Sequence, residues 1–467
     1  MADSKAHGEF ALPTTGAGFK RRGLLKFGTL ATAVTGAAAI TTLSANTAHA
    51  SLQNTLAPTE LSFSSATNAT GLLATPRVRQ PQNASVITTF QPSHGWVGAN
   101  TPLNIADDIS DFVLGLQSIK VVTTTTRDPA SLQKTGLNLD ATGKTFRVCF
   151  KIDGLTKLSE LLLYAGDNSL ANNYSWVLID GNAVSAQQFS KEGEWISMTV
   201  NWGDCTVAGA PNRSSIQNVR LRARSLAGQS VIVHYNSVTL VDEGPAYPNG
   251  VVSITFDDSS ASQATEGQPY LDRYGFGATY YTICDLIGTN RYMTMAQLRK
   301  ISDYSPSEIA AHAFSRLNHD TTFPKLAPNS LDIELRNLRL WLQYNGFEGG
   351  DHLAYPQGAF TPEVLSMVGK YFASGRTILS KIETLRPANP LRLRSLSLTN
   401  TTSVAYVNSA IDRAYSNRGW LILTFHDIVP NPTNGTEYST SNYRSIIDYL
   451  SLKGIPVRTV GEVLKTL

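Results

Sequence analysis

Asp257 and Asp258 follow the apolar run "VVSITF" (251–256), and His426 and Asp427 follow "LILTF" (421–425). Both runs pass through Thr-Phe and stop on side chains that exchange protons or hold cations. Successive strand side chains point to opposite faces, so adjacent carboxylates share a site only where a strand is turning into its loop. There one carboxylate can bind a cation while the other takes a proton from water. His426, an imidazole able to give or take a proton, stands where a general acid must be to protonate a departing amine or alkoxide.

A cation needs more ligands, and "EIAAHAFSRLNHD" (308–320) supplies His312 at a strand end with His319 seven positions later. On one continuous helix seven residues span about 10.5 Å, too far for two imidazoles to share an ion. The stretch is therefore expected to leave the strand as a loop that folds His319 back toward His312. One Asp and two His with open positions suit a divalent metal in a catalytic role, zinc first. In "HLAYPQGAF" (352–360) the Tyr-Pro-x-Gly turn places Tyr355 and Pro356 to line a pocket, with a donor for a developing oxyanion.

Two kinds of element must position these residues. Over 86–242 short runs such as "TFRVCFKI", "YSWVLID" and "NVRLRARS" alternate with a period of two between turn residues. That pattern predicts an antiparallel, jelly-roll-like β-sandwich, with Val219, Leu221 and Ala223 inside and Arg220, Arg222 and Arg224 outside. Trp176, Trp195 and Trp202 are candidates either to stack on sugar rings or to fill its core, and for Trp195 the core is the expectation. Residues 243–250, "EGPAYPNG", read as a linker. From 251 to 467 strands alternate with helices, which predicts a parallel sheet with helices outside, open or closed as a barrel. Functional residues of such folds gather at the C-terminal strand ends, where Asp257, Asp258 and His426 stand.

The chain has 467 residues, enough for two domains. A basic stretch from Lys20-Arg21-Arg22 to Lys26 precedes an uncharged run from Phe27 to Ile40 and then Ala48-His49-Ala50, which reads as a twin-arginine-type export signal over 1–50. Residues 51–85, rich in Ser, Thr, Asn and Pro, read as a linker without a fold of its own. Removing 1–50 takes five basic and two acidic residues and leaves 34 of each. A formally neutral chain gives no reason to expect nucleic acid or an anionic membrane as partner, and leaves a neutral polysaccharide open. Cys149, Cys205 and Cys284 are too few for a disulfide scaffold, though an oxidising destination would permit Cys149 and Cys205 to pair.

With these residues in view, 249–467 resembles the polysaccharide deacetylases, the NodB-homology domain of carbohydrate esterase family 4. The family's first motif stands intact as Thr255-Phe256-Asp257-Asp258, and its last as Leu423-Thr424-Phe425-His426-Asp427. The resemblance implies a distorted (β/α) barrel, with Asp257 as catalytic base, Asp258 as metal ligand and His426 as acid. The second motif pairs histidines four apart. Here His312 is followed four positions on by Arg316, so His319 takes the place of the second ligand. The third motif appears as Ala354-Tyr355-Pro356-Gln357-Gly358 without its arginine, and Arg376 is the candidate to orient the base instead. The fourth, an Asp and Trp pair, is not found around 376–386.

The activity implied is a secreted or wall-associated, metal-dependent hydrolase that removes N-acetyl groups from a polysaccharide, without stable membrane association once the signal is removed. The alternatives are an esterase for O-acetyl groups, as on xylan, and an inactive glycan-binding protein. The particular polymer, the native metal and the oligomeric state are not legible in the sequence.

Overall fold

A computed structural model describes residues 60–62, 79–81, 84–99, 104–126, 128–181 and 187–467. The expected export signal lies outside the described residues. Within the stretch expected to be an unstructured linker, Glu60–Ser62 pairs antiparallel with Arg79–Pro81, and a strand already begins at Ala84. Pairing two short backbone segments does not need the apolar surface on which that expectation rested.

The alternating runs form two antiparallel sheets. One runs in the order 206–208, 173–180, 158–166, 218–225, 130–134, 97–98, and the other 196–199, 144–153, 232–242, 118–122, 104–108. Their inner faces make one apolar core. Val219, Leu221 and Ala223 are fully buried while the intervening arginines are half-exposed, as the alternation predicts. Each buried Val or Leu contributes about 1.5–3 kcal/mol, so a slip of one residue, turning three arginines inward, is strongly disfavoured. Trp176 and Trp202 lie in this core, their indoles bonded to the carbonyls of Asn201 and Lys144. Trp195 departs from expectation: it is half-buried at the rim, because its Nε1 donates to Asp111 Oδ1 at 2.9 Å. Cys149 and Cys205 are both free thiols. Cys149 is buried within its strand, with its pKa pushed up to about 12 by that burial, and Cys205 donates to the Trp202 carbonyl.

The second half is a parallel barrel. Ser374–Arg376, His352–Ala354, Glu308–Ala313, Ala278–Ile283, Val251–Phe256 and Gly419–Phe425 neighbour one another in that order. Residues 393–397 close the ring. Leu393 bridges to Arg376 on one side, and Leu396–Ser397 pairs with Gly419–Phe425 on the other. The closing element is short and irregular, which is the barrel's distortion. Every residue of Val251–Phe256 and of Gly419–Phe425 is buried, because parallel strands covered on both faces read as continuous apolar runs. Helices pack outside, among them Pro328–Tyr344, Val404–Ser416 and Thr440–Lys453. The last is closed by Gly454 in the left-handed conformation. Among the described residues no helix is long and apolar enough to cross a membrane.

Candidate metal and catalytic site

The two Thr-Phe runs lie side by side, with Thr255 opposite Thr424 and Phe256 opposite Phe425. Their polar ends therefore open into one place. Asp257 N–H still bonds the Phe425 carbonyl at 2.9 Å, after which Asp258 and Ser259 take positive φ, 68° and 62°. Such conformations cost roughly 1–3 kcal/mol each for non-glycine residues and persist only where the surroundings hold them. Here Ser259 Oγ accepts from Ile283 N–H, and Met293 N–H donates to the Ser259 carbonyl. Asp427 accepts from Ser260 and Ser262, and the Gln263 amide donates to the carbonyls of both Asp257 and His426. The reversal lets adjacent carboxylates share a site despite strand alternation.

His312 is buried at the end of Glu308–Ala313. Its Nδ1 lies 2.9 Å from the Ala354 carbonyl, which can only accept, so Nδ1 carries the proton and the Nε2 lone pair is free. His319 arrives differently from expectation. The chain turns at Phe314 and Ser315 and then forms the short helix Arg316–Thr321, capped by Ser315 Oγ accepting from Asn318 N–H. A helix starting after a turn brings His319 back as well as a loop would. Its ring meets that of His312 with centroids 4.8 Å apart. Buried Glu334 holds the turn by accepting from Phe314 N–H, Ser315 N–H and the Asn318 amide. His319 Nδ1 lies 2.9 Å from Asp320 Oδ1, whose second oxygen takes Arg316 Nε at 2.8 Å.

The two Nε2 atoms stand 3.4 Å and 3.3 Å from Asp258 Oδ1, and the three ligand atoms lie within 4.8 Å of one another. Asp258 Oδ1 is buried without a hydrogen bond of normal geometry. Ligands 2.0–2.1 Å from a tetrahedral ion are separated by about 3.3 Å, so the set fits a small divalent cation. Without a cation the same geometry moves the carboxylate and the imidazole of His319 in opposite directions. Burial alone would raise Asp258, but the adjacent imidazoles of His312 and His319 hold it well below the usual carboxylate range. His319 is pulled down by burial yet raised overall by Asp258 and Asp320.

Asp257 lies beside this cluster and is 4% exposed. Arg376 Nη2 donates to its Oδ2, and Arg376 Nη1 donates to Ser395 Oγ at 3.2 Å. Oδ1 of Asp257 is buried without a hydrogen-bond partner. His426 Nε2 stands 3.9 Å from Asp257 Oδ2, while its Nδ1 is buried and unpartnered, in keeping with the absent fourth motif. The structure thus brings Asp257, Asp258, His312, His319, Arg376 and His426 together.

Tyr355 and Pro356 are the exception, and the reading of Tyr355 as an oxyanion donor is corrected. Both are buried beneath the site; the Tyr355 hydroxyl donates to the Leu391 carbonyl at 3.0 Å and its N–H to the Arg376 carbonyl at 3.1 Å. The ring packs on Gly375, where an added Cβ would lie 2.6 Å from the hydroxyl oxygen. The neighbouring strand takes its N–H and the turn Pro390–Arg392 takes its hydroxyl, donors that a sequence reading leaves free. Residues missed by that reading are Asp320, Glu334, Gln263 and the Ser260 and Ser262 hydroxyls that donate to Asp427. Only Asp320, directly following His319, carried a signal in the sequence.

A second His-carboxylate cluster sits on the sandwich, where Asp111, Asp153 and His234 also bring ligand atoms within 4.8 Å. Lys151 fills its centre, with Nζ paired to Asp111 Oδ2 and 3.2 Å from Asp153 Oδ2.

Residues 245–371 match the family model described as polysaccharide deacetylase. These residues belong to a polysaccharide deacetylase domain. No curated protein matches the sequence. Among solved structures, a family 4 acetyl xylan esterase from Clostridium thermocellum in complex with a cobalt ion is 18% identical with a TM-score of 0.35, covering 46% of this chain and 91% of its own. A family 4 carbohydrate esterase from Streptomyces lividans in complex with acetate is 19% identical with a TM-score of 0.32, covering 45% and 92%. Thr255-Phe256-Asp257-Asp258 lies within the matched residues, and Leu423-Thr424-Phe425-His426-Asp427 ends the strand paired beside it.

Proposed function

We propose that the protein is a secreted or wall-associated hydrolase that removes N-acetyl groups from an extracellular polysaccharide, using a divalent metal, zinc first. The observation that carries this is the convergence of Asp258, His312 and His319 beside an Asp257 whose one oxygen is held by Arg376 and whose other is free. Supporting the destination are the twin-arginine-type N-terminus and the neutral charge of the chain beyond it.

A divalent cation held by His312 Nε2, His319 Nε2 and Asp258 would supply Lewis acidity and positive charge to the reacting acyl group. Asp257 Oδ1, freed by the Arg376 bond to Oδ2, accepts a proton from the attacking water as the C–O bond forms. His426, partly exposed at the mouth, gives a proton to the nitrogen as the C–N bond breaks, and acetate leaves. The Arg376 guanidinium orients Asp257 through its bond to Oδ2 without being a donor to substrate.

The test is acetate release from N-acetylglucosamine oligomers and from acetylated xylan, after chelation and after zinc or cobalt is restored. Metal-restored release from the oligomers is expected, lost in Asp257→Asn and in His319→Ala. Release from xylan alone would replace the amide reading with an ester one. No release from either, with no bound metal, would leave a glycan-binding protein.

A further inference from the structure

We infer that the β-sandwich is a working part of the catalytic site, clamping through Arg392 and Glu194 the strand that positions Arg376. The inference rests on the proposed reaction and extends it to residues outside the barrel. Arg376 stands on Ser374–Arg376, which is held on its open side by 393–397: Thr377 N–H donates to the Leu393 carbonyl at 2.7 Å and Leu393 N–H to the Gly375 carbonyl at 2.8 Å. Ser395 Oγ, which accepts from Arg376, itself donates to the Thr377 carbonyl at 2.7 Å. This closing element has only two residues of regular strand.

What stiffens it comes from the sandwich. Ser395 faces Arg376 while its neighbour Arg394 faces away, and Arg392, ending the turn Pro390–Arg392, reaches to the sandwich. Both arginines are buried, at 3% and 4% exposure. Arg392 pairs with buried Glu194 and donates from Nη1 to the Phe189 carbonyl at 2.8 Å. Arg394 donates to the Thr199 carbonyl at 2.9 Å and pairs with Glu383. Thr199 and Thr384 hydroxyls meet at 2.8 Å, and Ile382 N–H donates to Asp204 Oδ2 at 2.8 Å. A loosely tethered accessory module would not bury two arginines of the segment that braces the base-orienting strand. Arg392 and Glu194 are positioning residues, acting on Asp257 only through Arg376.

The test uses the full chain. Removing Glu194 alone would strand a buried charge, so the pair is replaced together, Glu194→Leu with Arg392→Met. The variant is expected to fold, with kcat lower by about ten-fold and KM within about two-fold of the parent, and to cost nothing further in an Arg376→Met background. Unchanged kcat, an altered KM alone, or an equal loss in the Arg376→Met background would each overturn the clamp. Should that pair fail to fold, Arg392→Lys keeps the charge and shortens the fork; a fall of about three-fold in kcat is expected, and full kcat overturns the inference. If the parent itself releases no acetate, the proposed reaction fails separately, and the clamp is read from amide exchange at Gly375–Thr377. Exchange about ten-fold faster in the paired variant supports it, and unchanged exchange overturns it.

Discussion

The barrel and the sandwich each hold a cluster of histidine and carboxylates whose ligand atoms lie within 4.8 Å of one another, and the two differ in what already answers their charge. In the barrel Asp258 meets His312 and His319, both with Nδ1 committed elsewhere and Nε2 turned inward. On the sandwich His234 lies 3.1 Å from Asp153 and 3.4 Å from Asp108, with Asp111 also near, and Lys151 stands among them. Residue types alone do not separate the two. The difference is the resident ammonium, which already supplies the positive charge that the carboxylates require. A metal-capable cluster is one in which the fold fixes the donors and leaves their charge unanswered.

The sharpest way to break this comparison is to remove one carboxylate from each cluster. Asp258→Ala should abolish metal binding and lower acetate release by about 1,000-fold or more, whereas Asp111→Ala should leave both unchanged. Metal content by elemental analysis should be one ion per chain in the parent and in Asp111→Ala, and none in Asp258→Ala. A chain that loses metal with Asp111 would reverse the assignment. Next in size is Lys151→Met. Without the ammonium the sandwich carboxylates repel one another, and unfolding free energy should fall by about 2–3 kcal/mol. Millimolar calcium or zinc should then raise the melting temperature of this variant more than that of the parent. No metal response would show that vacancy is not enough and that donor geometry decides.

A smaller effect tests the outer contact of the barrel cluster. Asp320 fixes His319 from behind, so Asp320→Asn should weaken zinc affinity by about ten-fold, measured by calorimetry, while the fold is retained. Glu334→Gln should do less to affinity and more to stability, since Glu334 holds the turn rather than the ring.

How much of this was legible follows from what each residue's neighbours are. Asp257, Asp258 and His426 are readable because the strand that positions each one immediately precedes it, and the parallel pairing of the two runs does the rest. His319 was readable by need: a cation lacked a ligand, and seven residues forbid one helix. The helix that delivers it, rather than a loop, depends on a Ser315 cap and on Glu334, which lies 15 residues beyond His319 and gives no local signal. Arg376 was readable only as a vacancy to be filled. Tyr355 was misread because its donors are spent on Leu391 and Arg376, partners set by strand order rather than by spacing. Nothing in the runs of the sandwich indicates that Glu194 and Thr199 meet 392–394, since that contact belongs to the packing of two separately patterned halves.

The finest distinction between the clusters is the direction in which they move a histidine. In the metal-free protein His319 is pulled down by burial but raised overall by Asp258 and Asp320. His234 is lowered, first by burial and then by Lys151, against the pull of Asp111, Asp153 and Asp108. Both start from an ordinary value of 6.5, so the signs give opposite pH windows. A raised His319 contributes stability that is complete below pH 6.5 and is lost as pH rises through its folded pKa. A lowered His234 contributes stability that is complete above pH 6.5 and is lost as pH falls through its folded pKa. Histidine resonances followed by NMR after chelation should therefore titrate on either side of 6.5, His319 above and His234 below. Adding zinc should remove the His319 titration from the accessible range and leave His234 in place, because the proton and the cation compete for the same Nε2 only in the barrel. Zinc moving both titrations would mean that Lys151 yields its place to a metal, and the two clusters would then be alike.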